Sequence, residues 1–315
     1  MRTVLAVDGG NSKTDVALVS ADGEVLAHAR GGPFVPQSAG VAAAADTVAE
    51  TVRQAVGESP ADLLVAYVAG ADLPDEEAAL AAEFEARGLA RSVVVANDTF
   101  ALLRAGASGP WGVAVVCGAG INAVGVSPEG EVARFPSLGK ISGDWGGGIG
   151  LAEEALWHAV RAEDGRGPHT GLAALVAAHF GADTVEAVVL DLHFGRLDAL
   201  RLLELTTGLF EVAAAGDEVA AGLVTRMADE IVTMAEVCLR RLDLLDTPTE
   251  VVLGGGILRA QDPLLVALLE ERFTARTPQA KTVVAELPPI VGAALSGLDR
   301  LGASEEAKLR LRGRF

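Results

Sequence analysis

The sequence predicts an α/β fold with two similar lobes and a cleft between them. Apolar, strand-like runs alternate with helical patterns along the first half of the chain. Three apolar runs in the whole chain end in glycine-rich turns. The order strand, glycine turn, strand, turn, strand occurs once in each half, which indicates that one kind of lobe is present twice.

The composition is that of a folded protein with a sizeable core. Its 315 residues are enough for two domains, and 50% of them are apolar. A formal net charge of −18 argues against nucleic acid or an anionic membrane as a partner. The first apolar run meets Asp8 too soon for a signal peptide, and no apolar stretch is long enough to span a membrane. A cytoplasmic location is therefore expected.

The first half is predicted to open with a β-hairpin and to continue with alternating helices and strands. Gly-Gly-Asn-Ser separates the first two strands, and Ala21-Asp22-Gly23 is typical of the next turn. Apolar residues then recur at helical spacing over residues 41–56. The predicted strands are 4–7, 15–20, 24–29, 63–68 and 92–96, and the further helices are 74–87 and 98–105.

The second half repeats this opening before it becomes rich in helices. Residues 126–132 (Val-Ser-Pro-Glu-Gly-Glu-Val) match residues 19–25 (Val-Ser-Ala-Asp-Gly-Glu-Val) at five of seven positions. The predicted elements are strands at 113–117, 250–253 and 281–285, a helix at 151–162, a long helix at 217–242 and a helix at 289–301. This organisation predicts a lobe at 1–112 and a second lobe at 113–315 with helical insertions, whose last helix can pack back on the first lobe.

The three glycine turns are candidate phosphate-binding loops. They contain Gly9 with Gly10, Gly118 with Gly120, and Gly254 with Gly255 and Gly256. Glycine lets backbone N–H groups face a bound anion without interference from a Cβ atom. No P-loop motif is present. Residues 118–123 fit G-x-G-x-x-A but continue as a strand, whereas a dinucleotide site requires a helix there.

The first glycine turn carries the most informative polar residues. Asp8 ends a strand, where its carboxylate can hold Mg²⁺ directly or through water. Backbone N–H groups, hydroxyls and a lysine that suit phosphate oxygens follow at Gly9, Gly10, Asn11, Ser12, Lys13 and Thr14. The alternative interpretation is an ordinary polar β-turn.

Two further segments carry candidate carboxylates. Asn97-Asp98 closes a predicted strand and opens a helix, so Asp98 is either the helix N-cap or a general base for an attacking hydroxyl. We favour the base because phosphate-type loops accompany it. Asp144 lies in Gly143-Asp144-Trp145-Gly146-Gly147-Gly148, where it can be a second metal or substrate ligand. The glycines there predict lobe closure or, alternatively, a flexible connecting loop.

Taken together, these segments resemble the BadF/BadG-type ATPase family, which includes N-acetylglucosamine kinases. Residues 8–14 resemble the first phosphate loop, residues 118–122 the second, and residues 252–256 the adenosine-site turn. The resemblance spans roughly residues 4–295. It implies two ribonuclease-H-like lobes of the actin/hexokinase-like ATPase fold, with ATP and Mg²⁺ in the interlobe cleft, and usually a homodimer.

The resemblance also implies a function and roles for single residues. The implied activity is an ATP-dependent kinase for a hexosamine, N-acetylglucosamine or glucosamine, with O6 as the expected acceptor. Asp98 would match the base facing the sugar 6-hydroxyl, and Asp144 a carboxylate near the sugar and the metal. Asp8 would lie behind the metal, while Thr14 and Gly10 would touch the phosphates. Asn97 and Gly120 are the further implied sugar contacts.

The sequence departs from the family pattern at two places. Ala119 and Ile121 replace hydroxyl residues of the second phosphate loop, so phosphate contacts there would come from the backbone. The loop that should hold an asparagine for the sugar offers Gln37 or Ser38 instead, and the acceptor can differ accordingly.

Alternative functions within the same fold remain open. Activators of 2-hydroxyacyl-CoA dehydratases need cysteines for an iron–sulfur cluster, and Cys117 and Cys238 do not lie in such a loop. Proteins of the ROK group need a cysteine-rich zinc motif, which the sequence lacks. A non-catalytic, actin-like nucleotide switch would tolerate replacement of Asp98 without loss of ATP turnover.

Overall fold

The computed structural model describes residues 1–57 and 59–315, and within them the chain forms two mixed five-stranded sheets. The first sheet has the order β3-β2-β1-β4-β5. Strand β2 is antiparallel to β1 and β3, while β4 and β5 run parallel to β1. Its strands are β1 (Thr3–Gly9), β2 (Thr14–Ser20), β3 (Val25–Gly31), β4 (Leu63–Val68) and β5 (Val93–Asn97).

The second sheet has the same internal arrangement, with the order β10-β9-β6-β7-β8. Strand β7 is antiparallel to β6 and β8, and β9 and β10 run parallel to β6. Its strands are β6 (Gly112–Cys117), β7 (Ile121–Val126), β8 (Val132–Arg134), β9 (Thr249–Gly254) and β10 (Ala280–Val284). Strands β6 to β10 of the second sheet thus correspond in order to strands β1 to β5 of the first sheet, as the repeated hairpin predicts.

Helices cover both sheets. Those that follow the strands of the first sheet are α1 (Pro36–Ala39), α2 (Val41–Val56), α3 (Pro74–Ala86) and α4 (Thr99–Gly106). Those of the second half are α5 (Gly147–Glu163), α6 (Leu172–His179), α7 (Val185–His193), α8 (Leu205–Ala214), α9 (Glu218–Arg241), α10 (Gly256–Arg259), α11 (Pro263–Arg276), α12 (Pro289–Arg300) and α13 (Glu305–Arg312). Short 3₁₀ helices occupy Gly139–Ser142 and Ala199–Glu204.

Local sequence explains where the long helices begin. The Asp217 side chain accepts a hydrogen bond from the Ala220 N–H at 2.9 Å and so caps α9. Asp262 caps α11 in the same way, and Pro263 occupies the first turn, where its missing N–H costs nothing. Within the described part of the chain, no helix is long and apolar enough to cross a membrane.

The first sheet is covered on its two faces by different parts of the chain. Leu5 and Val7 face the core formed with α2 and α3. Val4 and Ala6 face α12, which follows the last strand of the second sheet. The Tyr67 hydroxyl and the Ser296 hydroxyl lie 2.6 Å apart across this contact. Helix α12 therefore completes the core of the first sheet, while the lobe boundary at residues 112 and 113 stays a prediction.

Candidate active site

Asp8 and Asp98 line one cavity of about 110 Å³ in the cleft. Asp8 lies near the carboxyl end of β1 and Asp98 directly follows β5. Both strands run parallel to β4 between them, so the two carboxylates lie at the same edge of the sheet. Gly254 and Gly255 line the cavity from the second sheet. The sequence predicted all four of these residues as site residues.

The cavity disfavours negative charge on both carboxyl groups. Burial raises the pKa of Asp8 to about 7, and the charges of Asp98 and Asp15 add to this shift against the opposing effect of Lys13 and Arg30. Burial also raises the pKa of Asp98 to about 6, which the nearby backbone N–H groups offset in part. A cation bound in this cavity would therefore be stabilised by carboxylates that otherwise carry unfavourable charge.

The capping of α4 does not use the Asp98 side chain. The Asn97 Oδ1 atom accepts hydrogen bonds from the Thr99 N–H at 2.9 Å and from the Thr99 hydroxyl at 2.6 Å. Asp98 makes no side-chain capping hydrogen bond, although it occupies the N-cap position. Of the two interpretations of Asp98, the N-cap role thus belongs to its neighbour, and the Asp98 carboxylate is left for the cavity.

The first glycine turn is compact, and two of its predicted phosphate ligands already have partners. The Gly10 N–H donates to the Lys13 carbonyl at 2.9 Å and closes the turn. The Lys13 ammonium donates to Asp15 Oδ2 at 2.8 Å. Thr14 is fully buried, and its hydroxyl donates to the Gly32 carbonyl at 2.9 Å. The phosphate roles of Lys13 and Thr14 stay predictions, because a ligand would have to share or displace these contacts.

The rest of the first turn is less committed. Asn11 and Ser12 are exposed, and Asn11 lines the cavity of about 400 Å³ described below. Gly9 is needed for close packing, since a Cβ atom there would lie 2.8 Å from Val68 Cγ1 and 2.9 Å from Phe34 Cγ. The glycine at this position therefore lets the turn lie directly on the core.

The second glycine turn is held by the start of α5. The Gly148 N–H donates to the Gly118 carbonyl at 2.8 Å, and the Ile149 N–H donates to the Ala119 carbonyl at 2.9 Å. Gly147 has φ +69°, and a Cβ atom there would lie 2.5 Å from the Gly120 carbonyl carbon. The glycines at the start of α5 thus permit close backbone approach. The sequence alone had left a choice between lobe closure and a flexible connecting loop.

The third glycine turn packs against the second. Gly255 has φ +92°, and a Cβ atom there would lie 2.3 Å from the Cys117 carbonyl oxygen. Only glycine adopts this conformation without strain. Gly256 also borders a cavity of about 420 Å³, whose lining is Thr206, Thr207, Phe210, Glu211, Ala214, Gly256, Ile257, Ala260, Gln261, Asp262 and Pro263. The size and mixed lining of this cavity suit a nucleoside.

Another cavity, of about 400 Å³, also borders Asp98. Most of the predicted sugar ligands line it, together with the second glycine turn. Its lining is Asn11, Gln37, Ala69, Gly70, Asp72, Asn97, Asp98, Val116, Gly118, Ala119, Gly120, Ile121, Asn122 and Ser137. Between the two predicted alternatives, Gln37 lies in this lining, whereas the exposed Ser38 does not.

Asp144 does not line the cavity that holds Asp8 and Asp98. Its carboxylate Oδ2 accepts hydrogen bonds from the Gly139 N–H at 3.0 Å and from the Ser142 hydroxyl at 2.6 Å. It lines a neighbouring cavity of about 350 Å³ together with Ala119 and Gly120. Its predicted role beside the sugar and the metal stays a prediction.

Two residues of the site were missed by reasoning from sequence. Asp72 lies in the loop after β4 and lines the cavity of about 400 Å³. Burial raises the pKa of Asp72 to about 7, and the charges of Asp98 and Glu76 add to this rise. Arg259 lines the cavity of Asp8 and Asp98 from α10. Asp72 could have been found because its strand runs parallel between β1 and β5, whose ends carry Asp8 and Asp98.

The oxygen donors around Asp8 suit Mg²⁺ better than they suit a metal ion that is coordinated entirely by protein side chains. Among residues 1–57 and 59–315, no three His, Cys, Asp or Glu side chains are grouped to hold a metal ion. Mg²⁺ commonly binds through one or two carboxylates, water and the phosphates of a nucleotide. One buried carboxylate beside glycine turns meets that requirement.

A model of the BadF/BadG/BcrA/BcrD ATPase family matches residues 5–297. The chain belongs to this family. The resemblance noted from the three glycine turns is thereby confirmed.

Relatives of known name are sugar kinases. The chain is 23% identical over 312 residues to N-acetyl-D-glucosamine kinase of Dictyostelium discoideum, which covers 94% of this chain and 97% of the relative. It is also 23% identical over 263 residues to N-acetylmuramic acid/N-acetylglucosamine kinase of Clostridium acetobutylicum, covering 82% of this chain and 86% of the relative.

Solved structures confirm the predicted fold class. A candidate N-acetylglucosamine kinase from Chromobacterium violaceum has a TM-score of 0.73 and 26% identity, covering 94% of this chain and 98% of that one. A ROK family glucokinase from Streptomyces griseus, solved with glucose and AMPPNP, has a TM-score of 0.58 and 18% identity, covering 93% and 98%. The chain therefore has the actin/hexokinase-like fold of two ribonuclease-H-like lobes.

Proposed function

We propose that this protein is an ATP-dependent kinase that phosphorylates a hydroxyl group of a hexosamine. The observation that carries the proposal is the meeting of Asp8 and Asp98 in one cavity, which the third glycine turn lines from the other sheet. Family membership over residues 5–297 and relatives named N-acetylglucosamine kinase support it.

The two large cavities suggest where the two substrates bind. The cavity beside Gly256 would hold the adenosine, since it begins at the third glycine turn and contains Phe210 and apolar neighbours. The cavity beside Asn97 and Asp98 would hold the sugar, since amide and carboxyl groups dominate its polar lining. The cavity of Asp8 and Asp98 would then hold the transferring phosphate.

Asp98 is the proposed general base. Its carboxylate has no capping role and borders both the phosphate and the sugar cavities. It would accept the proton of the attacking hydroxyl late in the transfer, because phosphoryl-transfer transition states are loose. A pKa of about 6 is suited to a base that works near neutral pH.

Asp8 is the proposed anchor for Mg²⁺, either directly or through water. Bound Mg²⁺ supplies charge neutralisation for the nucleotide phosphates. Backbone N–H groups of the three glycine turns would hold the phosphate oxygens, with Ala119 and Ile121 contributing no side-chain hydroxyl. Arg259 is a further candidate because it lines the same cavity from the second sheet.

The acceptor is proposed to be N-acetylglucosamine or glucosamine, phosphorylated at O6. Gln37 is the proposed substitute for the family asparagine, since its side chain packs on Gly70 at the edge of the sugar cavity. A cytoplasmic homodimer, a lobe boundary at residues 112 and 113, and Asp144 as a ligand near the sugar and metal are further parts of this proposal.

The decisive experiment incubates the pure protein with Mg-ATP and single sugars. The panel contains glucosamine, N-acetylglucosamine, N-acetylmannosamine and glucose, together with a tube without sugar. ADP release that depends on one hexosamine is expected, and mass spectrometry and NMR of the product identify the phosphorylated oxygen. Equal ADP release in every tube would point to a switch ATPase instead.

A further inference from the structure

The loop after β4 borders the candidate active site, and its Asp72 side chain makes a hydrogen bond there. The Asp72 Oδ1 atom accepts a hydrogen bond from the Asn97 Nδ2 group at 2.6 Å. Asn97 is 5% exposed, so its amide has little access to water and depends on protein partners. Asp72 is the partner of the Asn97 nitrogen in the described residues.

The orientation of the Asn97 amide is fixed by chemistry. The Thr99 backbone N–H can only donate a hydrogen bond, and it lies 2.9 Å from one end of the Asn97 amide. That end must be the oxygen. The nitrogen therefore faces Asp72, whose carboxylate is an acceptor. An amide turned by 180° would place two donors together and two acceptors together.

Asp72 itself is held by the helix that follows it. The Glu76 Oε2 atom accepts hydrogen bonds from the Asp72 N–H at 2.9 Å and from the Leu73 N–H at 3.0 Å. These contacts fix the start of α3 and the backbone that carries Asp72. A continuous set of contacts thus runs from α3 through Asp72 to Asn97 and the first turn of α4.

A contact from the second sheet reaches the same amide. The Asn122 Nδ2 group donates to Asn97 Oδ1 at 3.3 Å from β7. Asn97 therefore receives contacts from both sides of the cleft, next to the proposed base. Its oxygen takes the place of an Asp98 cap on α4.

We infer that Asp72 is a positioning residue for the phosphoryl transfer: it holds the Asn97 amide, which caps α4 and leaves the Asp98 carboxylate free to act. This inference rests on the proposed function. Asp72 acts through its neighbour and does not itself take the proton. A loss of Asp72 leaves the buried Asn97 nitrogen without its acceptor, so the amide can shift from its place and Asp98 can be drawn into the capping position.

The kinetic test compares Asp72→Ala and Asp72→Asn with Asp75→Ala as a matched control. Asp75 is an exposed carboxylate in the first turn of the same helix. Asp72→Ala should lower kcat by about 10- to 100-fold with little change in KM for ATP. Asp72→Asn keeps an acceptor oxygen for Asn97 and should restore most of kcat. Asp75→Ala should behave as wild type.

The inference would be overturned by Asp72→Ala with a wild-type kcat, or by an Asn variant no better than the Ala variant while both melt at the wild-type temperature. A substrate-free crystal structure of Asp72→Ala tests it independently of any sugar. We expect the Asn97 amide or the Asp98 carboxylate to have moved. Unmoved side chains would refute positioning, whereas absence of sugar-dependent turnover in the wild type would refute only the proposed function.

Discussion

Asp98 lies where its carboxylate loses most of its hydration, and its side chain makes no capping hydrogen bond to the helix that it precedes. Its value to the reaction would be that of a free acceptor at a fixed place. General-base groups typically contribute 10²- to 10⁴-fold to a rate. Asp98→Asn should therefore lower kcat by about two to four orders of magnitude while ATP still binds.

This prediction is checked by steady-state kinetics together with calorimetric titration of ATP. The amide keeps the size of the carboxylate, so a folding defect is not expected. Near-normal phosphoryl transfer in Asp98→Asn would remove the base assignment and favour an actin-like switch.

The raised pKa of Asp98 gives a second prediction at the level of one residue. A base works only when ionised, and burial raises its pKa from 3.8 to about 6. The free-enzyme parameter kcat/KM should therefore fall on the acidic side, by about tenfold per pH unit well below pH 6. A pH–rate profile measured at saturating Mg²⁺ checks this. A flat profile down to pH 4.5 would mean that the base is fully ionised throughout.

Single residues differed in how far the sequence could reveal them. Asp8 and Asp98 were predictable because each stands at the carboxyl end of an apolar run, before a glycine turn or a helix. Asp72 stands four residues beyond its strand, so the sequence signal was only the place of that strand between β1 and β5. The hydrogen bond to Asn97 then shows that its side chain reaches the site. The occupied hydroxyl of Thr14 was equally invisible, because its partner carbonyl lies 18 residues away.

The glycine-rich start of α5 shows how a helix end can be dictated by its neighbour. Two glycines there differ in surroundings and form a matched pair. A Cβ atom on Gly147 would meet the Gly120 backbone at 2.5 Å at φ +69°, whereas a Cβ atom on Gly150 meets nothing within 4 Å. The same substitution at the two positions should have opposite results.

Gly147→Ala should destabilise the protein by at least about 2 kcal/mol and impair ATP binding, since the second glycine turn must shift. Gly150→Ala should be neutral or stabilising by up to about 1 kcal/mol, because alanine favours the helix. Urea denaturation monitored by circular dichroism measures both. Equal stabilities for the two variants would contradict the close approach seen between α5 and that turn.

Elements were easier to predict than the reasons for their glycines. The β-branched runs and the Asp-Gly and Glu-Gly turns predicted both hairpins, and the long helix predicted at 217–242 is Glu218–Arg241 in the structure. Helix α5 begins earlier than its apolar pattern suggested, at Gly147. Glycine is a poor helix former, so propensity alone could not indicate that contacts with the second turn fix this start.

The two halves of the molecule also meet through an ion pair near Asp72. Arg134 of β8 donates to Glu77 Oε1 of α3 at 2.5 Å, and the two side chains are 29% and 21% exposed. The charge of Arg134 also offsets part of the rise that burial causes in the pKa of Asp72. This ion pair links the two lobes across the cleft, and it can therefore favour the closed form of the cleft.

Arg134→Ala should weaken sugar binding by about fivefold, since an ion pair worth about 1 kcal/mol can shift an open–closed equilibrium by no more than its own free energy. Calorimetric titration of the sugar measures the change. Arg240→Ala is the control, because Arg240 pairs with Glu236 within α9. Identical sugar affinities in both variants would exclude a role of the pair in closure.

At the scale of the molecule, the duplicated sheet was predictable because the sequence contains two similar hairpins. The packing of α12 on the first sheet was harder, since its apolar face would suit either sheet. The contact is decided by fit: Gly297 lies so close to Val4 that a Cβ atom would be 2.2 Å from the valine Cγ1. Such complementarity appears only in three dimensions.

The return of α12 to the first sheet has a consequence for biosynthesis. During translation the five strands of this sheet are synthesised long before residues 289–300. The hydrogen-bond partner of Tyr67, Ser296, lies 229 positions later in the chain. Until then the sheet face carrying Val4 and Ala6 lacks the cover of α12. Contacts of such separation slow folding and leave apolar surface open to aggregation. We therefore expect the nascent chain to be most prone to aggregation before α12 has been synthesised.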